Sequence, residues 1–169
     1  MSTTSLLPIV SGDPELAQDT ESLYDALEDL LRVYQFRDRD RICCFDVSVT
    51  QCYALEGLVR RGSMTLNDLA AYLYLDKSTA SRVVDALERK GYVTRSAHPE
   101  DRRAVLLEAT APGRELEGRI RESILAEERH LLADFAPEVR QSMTHLLRRL
   151  AKAAAASVDT SSGSCCRIP

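Results

Sequence analysis

The 169-residue sequence lacks the features that mark fibrous, membrane and secreted proteins. Seven Gly and six Pro are too few for a collagen-like or low-complexity chain. No apolar run approaches the roughly 18 residues a membrane helix needs, so no membrane partner is expected. The opening stretch MSTTSLLPIV has no basic residue ahead of its short apolar segment, which argues against a secretory signal. Without such a leader, the five cysteines read as thiols in a reducing compartment rather than a disulfide framework, and the expected location is cytoplasmic. No internal repeat is visible. What is present is 44% hydrophobic and 28% charged residues, enough to bury the core of one domain with a helical extension.

The net charge of −4 argues weakly against a nucleic-acid partner, but the charge is unevenly spread. Residues 1–42 carry −5 and residues 43–76 carry −2, whereas residues 77–103 carry +3 through Lys77, Arg82, Arg89, Lys90, Arg95, Arg102 and Arg103. A solvated helix face often carries such charge, so the basic segment gains meaning only from its structural context.

Periodicity supplies that context. Leu23, Leu27, Leu30, Leu31 and Tyr34 lie on one stripe of an amphipathic helix running from about Asp13 to Arg41. Ser48-Val-Thr-Gln51 fits a capping box that opens a second helix ending at Gly62, with Cys52, Leu55, Leu58 and Val59 inward. Thr65-Leu-Asn-Asp68 opens a short third helix, with Leu66, Leu69, Ala70 and Leu73 inward. Asp76 caps a fourth helix from Lys77 to Lys90 that stops at Gly91, with Ala80, Val83, Ala86 and Leu87 inward. The pattern then switches to strand-like Tyr92–Arg95 and Ala104–Leu107 around the turn residues His98–Asp101. Two further helices follow, on the stripes Leu116, Ile120, Ile124, Leu131 and Val139, Met143, Leu146, Leu147, Leu150.

The expected fold is mainly α with a small β-hairpin wing, a winged helix-turn-helix with long N- and C-terminal dimerisation helices. Residues 1–13 read as a flexible N-terminus and 47–110 as the winged helix-turn-helix. Residues 14–42 and 112–156 read as homodimerisation helices, and 157–169 as a flexible tail bearing a cysteine pair. A helix-turn-helix docks the start of its second helix in the major groove of double-stranded DNA. Here that start is Lys77-Ser78-Thr79-Ala80-Ser81-Arg82. Small hydroxyl residues permit close approach to phosphates and base edges, Arg82 has the fork that reads guanine, and free N–H groups at the helix start suit a phosphate. Arg102 or Arg103 in the hairpin suits an adjacent minor groove or the backbone, with Asp101 as an internal partner that stabilises the wing. The bland reading of these serines and the threonine is a solvent-exposed helix start.

The run DKSTASRVVDALERKGYVTRSAHPEDRRAVLLEAT resembles the core signature of the multiple-antibiotic-resistance regulator (MarR) family. It includes the Asp-x-Arg element (Asp101, Arg103) and Thr110, the threonine that begins the next helix. The helix order over about residues 16–156 is also similar. The resemblance implies a dimeric winged-helix repressor, not an enzyme, that binds a palindromic operator and releases it when an effector binds. It also implies DNA contact by Ser78, Thr79, Ser81, Arg82 and Arg103, and an effector cleft near the joint between the first two helices. Ala109 stands where a leucine is usual in the family, and Pro112 where a basic residue is frequent.

The adjacent pairs Cys43-Cys44 and Cys165-Cys166 lie outside that pattern. Neighbouring cysteines close into a disulfide only with a strained ring. As thiols they suit a thiophilic metal or metalloid such as zinc, cadmium, mercury, or trivalent arsenic or antimony. The tail from Ser157 to Cys165 spans up to roughly 27 Å when extended, enough to swing toward Cys43 and Cys44. No obligatory cofactor is expected. The leading expectation is therefore a MarR-type repressor released when an ion bridges the cysteine pairs. Competing expectations are a MarR-type regulator answering oxidants through its thiols or a small aromatic molecule, and a metal-scavenging protein whose winged helix does not bind DNA. Cys52 sits on an apolar stripe and reads as core.

Overall fold

The computed structural model describes residues 13–42, 44–98 and 104–161. Its elements are α1 (Pro14–Ile42), α2 (Val49–Arg61), β1 (Met64–Thr65), α3 (Leu66–Tyr72), α4 (Lys77–Arg89), β2 (Val93–Ala97), β3 (Val105–Ala109), α5 (Ala111–Leu132) and α6 (Pro137–Ser161). Two compact units are distinguished, residues 1–121 and 122–169.

Each helix start in the first unit follows from a short polar side chain. The Asp13 carboxylate accepts from the backbone N–H groups of Glu15 and Leu16 at 3.1 and 3.3 Å, with Pro14 in the first helical position. Both expected capping boxes form: Ser48 with Gln51, and Thr65 with Asp68, exchange reciprocal side-chain and backbone bonds of 3.2–3.3 Å. The end of α4 is equally determined by sequence. Gly91 takes φ +75°, Gly91 N–H donates to Glu88 O, and Tyr92 N–H donates to Leu87 O, each at 2.9 Å. These two bonds make a Schellman motif, which needs the left-handed conformation that glycine adopts without strain.

The core lies within residues 42–120. Ile42, Leu55, Leu69, Val84, Leu87, Val93 and Leu107 are its largest fully buried side chains. The buried stripe of α4 is Ala80, Val84 and Leu87, spaced four and three, while Val83 and Ala86, expected inward, are half-buried. In α2, Ala54 and Gly57 are buried along with Cys52, Leu55 and Leu58, and Val59 is half-buried. A Cβ at Gly57 would stand 2.5 Å from the Tyr72 ring, so a larger residue there would displace that ring. In α3, Leu69 and Ala70 are buried and the expected Leu66 and Leu73 half-buried.

The hairpin strands lie one to two residues beyond their expected ends, and a third strand accompanies them. The sheet is antiparallel in the order β1-β3-β2, with Met64 opposite Leu107 and Val93 opposite Ala109. Two-residue β1 leaves no periodicity to read, which is why it escaped notice in the sequence. In the second unit, α6 continues to Ser161, so the first five residues of the expected tail are helical. At about 1.5 Å rise per residue this shortens the reach estimated for an extended tail.

Candidate nucleic-acid interface

The start of α4 projects polar groups outward. Lys77, Ser78 and Arg82 are exposed, and Thr79 and Ser81 are half-buried. The opposite side of the helix is fixed in the core by Ala80 and Val84, both fully buried. A helix anchored on one side and capped at both ends holds its exposed side chains in a fixed array.

Asp76 organises that array more extensively than a simple cap. Its Oδ1 accepts from the Thr79 N–H at 2.9 Å and from Ser78 Oγ at 2.6 Å, and its Oδ2 accepts from Thr79 Oγ1 at 2.7 Å. The Ser78 hydroxyl first, then the Thr79 hydroxyl and the Thr79 N–H, hold the Asp76 carboxyl far below the usual carboxylate range. Of the N–H groups at the helix start, the carboxylate takes that of Thr79.

A guanidinium fork joins the hairpin to the same helix. Arg95 on β2 contacts Asp85 Oδ1 at 2.5 Å through Nη2 and Glu88 Oε2 at 3.1 Å through Nη1. Asp85 and Glu88 are three apart and so share one face of α4. The signal in the sequence was that acidic pair opposite a basic strand residue, but strand register decides the match and is not readable from spacing alone. His98 N–H donates to Ala104 O at 3.2 Å across the hairpin. Asp101, Arg102 and Arg103 lie outside the described residues.

Thr110 links α4 to α5. Its hydroxyl donates to Gly91 O at 2.7 Å and accepts from Gly113 N–H at 3.1 Å, while its own N–H donates to Tyr92 O at 3.0 Å. The threonine singled out in the sequence thus begins α5 and ties it to the turn that ends α4.

The joint between α1 and α2 is held from two other elements. Lys90, at the end of α4, donates through Nζ to Asp46 O, and its ammonium lies 3.4 Å from Asp46 Oδ1 and 3.5 Å from Gln51 Oε1. The Arg119 guanidinium of α5 stands 5.5 Å from the centre of the Phe45 ring. Cys44 is exposed in this joint, with Sγ 3.9 Å from Asp40 O, and Cys52 is buried, as expected of a core residue. Cys43, Cys165 and Cys166 lie outside the described residues. Among the described residues, no group of three or more His, Cys, Asp or Glu side chains is arranged to hold a metal ion.

Beside the joint, α1 and α2 form the walls of an open cleft of about 590 Å³ lined by Leu30, Leu31, Tyr34, Gln35, Arg39, Val49 and Tyr53. Its lining is largely apolar and aromatic, with one amide and one guanidinium, a composition suited to a small planar organic molecule.

Comparison with known proteins agrees with this architecture. The sequence model of the MarR family matches residues 47–105. An uncharacterised HTH-type transcriptional regulator of Mycobacterium bovis is 31% identical over 153 residues, covering 90% of this chain and 99% of that protein. An uncharacterised HTH-type regulator of Bacillus subtilis is 33% identical over 87 residues; that match and one other cover 63% and 58% of the relatives' own lengths. Among solved structures, a MarR family protein from Bacillus stearothermophilus superposes with TM-score 0.74 at 23% identity, over 82% of this chain and 96% of that one. A MarR transcriptional regulator from Methanosarcina mazei superposes with TM-score 0.71 at 25% identity, over 79% and 96%. With nine-tenths of its length matched to an HTH-type regulator and a winged-helix core of the same architecture, the chain belongs to the MarR family.

Proposed function

We propose that the protein is a cytoplasmic, homodimeric transcriptional repressor that binds a palindromic DNA operator through two winged helix-turn-helix heads and leaves it when an effector binds. The observation that carries this reading is the outward array at the start of α4, anchored behind by Ala80 and Val84. Arg82 reads a guanine in the major groove, Lys77 meets a phosphate, and Ser78, Thr79 and Ser81 approach the base edges. Arg102 and Arg103 extend the contact to the backbone or minor groove, with Asp101 bracing the wing. Support for the dimer comes from α1, where Leu16, Leu23, Tyr24, Leu31, Val33 and Phe36 remain 48–65% exposed on one chain.

Two effectors fit the joint between α1 and α2. The cleft beside it favours a small aromatic molecule, whose anionic substituent would compete for Arg39 with Asp40 Oδ1, 3.5 Å from the guanidinium. Exposed Cys44 favours a thiophilic metal or metalloid shared with Cys43, Cys165 and Cys166. The first reading has the apolar cleft behind it; the second has an exposed cysteine and the paired cysteines of the sequence. Either ligand would bias the orientation of the heads.

The test is fluorescence anisotropy of labelled upstream DNA with purified, reduced protein, titrated with arsenite, cadmium, zinc, peroxide or aromatic carboxylates. Release by an ion that is lost in Cys165→Ser/Cys166→Ser supports the thiol reading. Release by an aromatic acid that is lost in Arg39→Ala supports the cleft. Release by peroxide alone identifies an oxidant sensor, and failure to bind DNA at moderate salt leaves the metal scavenger.

A further inference from the structure

The hydrogen-bond partners at the start of α4 bear on which bases the helix reads. Serine and threonine hydroxyls each carry one proton to donate and two lone pairs to accept with. Ser78 Oγ lies 2.6 Å from Asp76 Oδ1 and Thr79 Oγ1 lies 2.7 Å from Asp76 Oδ2. An ionised carboxylate only accepts, so both hydroxyl protons point at Asp76. Their lone pairs are left for whatever approaches from solvent.

We infer that Asp76 is a specificity-determining residue: by taking the hydroxyl protons of Ser78 and Thr79, it makes both side chains acceptors toward DNA, selective for the exocyclic amino groups of adenine and cytosine.

The selectivity follows from the groove. In the major groove only adenine N6 and cytosine N4 offer hydrogen-bond donors, whereas guanine N7 and O6, thymine O4 and every phosphate oxygen offer acceptors. An oxygen whose proton is committed repels the second group and accepts from the first. The carboxylate adds to this, because its negative charge at the helix start disfavours a phosphate there. Labour is thereby divided along the helix. Lys77 and Arg82 supply the donors for phosphate and guanine, while Ser78 and Thr79 supply acceptors for amino groups. Rotating a hydroxyl to donate outward would leave the Asp76 carboxylate short of a partner, and this cost enforces the discrimination.

The inference rests on the DNA-binding reading above and deepens it. The test is selection of binding sites from random duplexes by the full-length wild-type protein, Asp76→Asn, Asp76→Ala and Ser78→Ala. The wild type is expected to enrich adenine or cytosine at one half-site position. Replacing that base by purine or 2-pyrimidinone, which lack the amino group, is expected to weaken wild-type binding on the order of tenfold. Asp76→Ala frees both protons and is expected to admit guanine or thymine there, and Ser78→Ala to lose the preference. Asp76→Asn retains an oxygen for the Thr79 N–H and so keeps the cap, but it releases one hydroxyl and is expected to relax the preference partially. The amine-deleted duplexes need no variant and so decide the matter even if Asp76→Ala folds poorly. A selected site whose affinity survives every amine deletion overturns the inference while leaving DNA binding intact. No enriched sequence with wild-type protein overturns both.

Discussion

Asp76 and Gly113 carry more of the architecture than their size suggests. Asp76 is exposed, yet three donors hold its carboxyl below the ordinary aspartate range. A carboxyl depressed in the folded state stabilises it above the unfolded value near 4, and this contribution is lost as pH falls through the folded value. A carboxyl-detected NMR titration should therefore find Asp76 still ionised at about pH 3, where unperturbed aspartates are mostly protonated. An ordinary titration would mean that the Ser78 and Thr79 hydroxyls are not committed to it. Gly113 is governed by space, because a Cβ there would collide with the backbone carbonyl of Tyr92. Gly113→Ala should cost about 1–3 kcal/mol in urea unfolding, as overpacking does, by pushing α5 away from the turn after α4. At this scale the sequence was legible wherever a residue acts on its neighbours: Ser48, Thr65, Asp76 and Gly91 each do what their local chemistry requires. The crowding at Gly113 depends on a chain segment twenty-one residues earlier and was not legible.

At the level of elements, α4 is tied at its middle and its end. Arg95 fastens β2 to Asp85 and Glu88, and Lys90 fastens the end of the helix to the joint that follows α1. Because Arg95 and Asp85 are partly exposed, at 34% and 42%, solvent screens their attraction. A double-mutant cycle on Arg95→Ala and Asp85→Ala should give a coupling of about 0.5–1 kcal/mol in stability. A coupling of zero would show that the hairpin is held by the sheet alone. Helix and hairpin existence followed from periodicity, but the phase of α4 did not. Adjacent Val83 and Val84 both fit an apolar stripe, and only packing against the core decides for Val84. The strand β1 and the helical residues 157–161 were missed for a related reason, since a two-residue strand and a polar helix end carry little periodic signal.

For the molecule as a whole, one chain leaves large apolar side chains in solvent on both units. On the first unit these include Leu23, Tyr24, Leu31 and Phe36 of α1; on the second they include Leu131, Val139, Leu146 and Leu147. Apolar side chains left in solvent on this scale favour a partner surface that covers them. Light scattering should return twice the 18.8 kDa chain mass, and replacing Leu23 and Leu31 by Glu should shift that value toward the monomer. A monomer in the wild type at micromolar concentration would remove the two-headed grip. The stripes themselves were plain in the sequence, as was the basic run 77–103 in an otherwise acidic or neutral chain. The cleft by Tyr34 and Tyr53 was not, because its walls come from two helices whose crossing no spacing encodes.

The most direct measurement is anisotropy of a duplex from the protein's own upstream region against a scrambled duplex of equal length, at moderate salt, with wild type and Arg82→Ala. Wild type should prefer the upstream duplex, and Arg82→Ala should lose about 1–3 kcal/mol of that preference while its circular dichroism stays unchanged. Equal binding to both duplexes by wild type, or a preference untouched in Arg82→Ala, would contradict a helix that reads sequence from its exposed start.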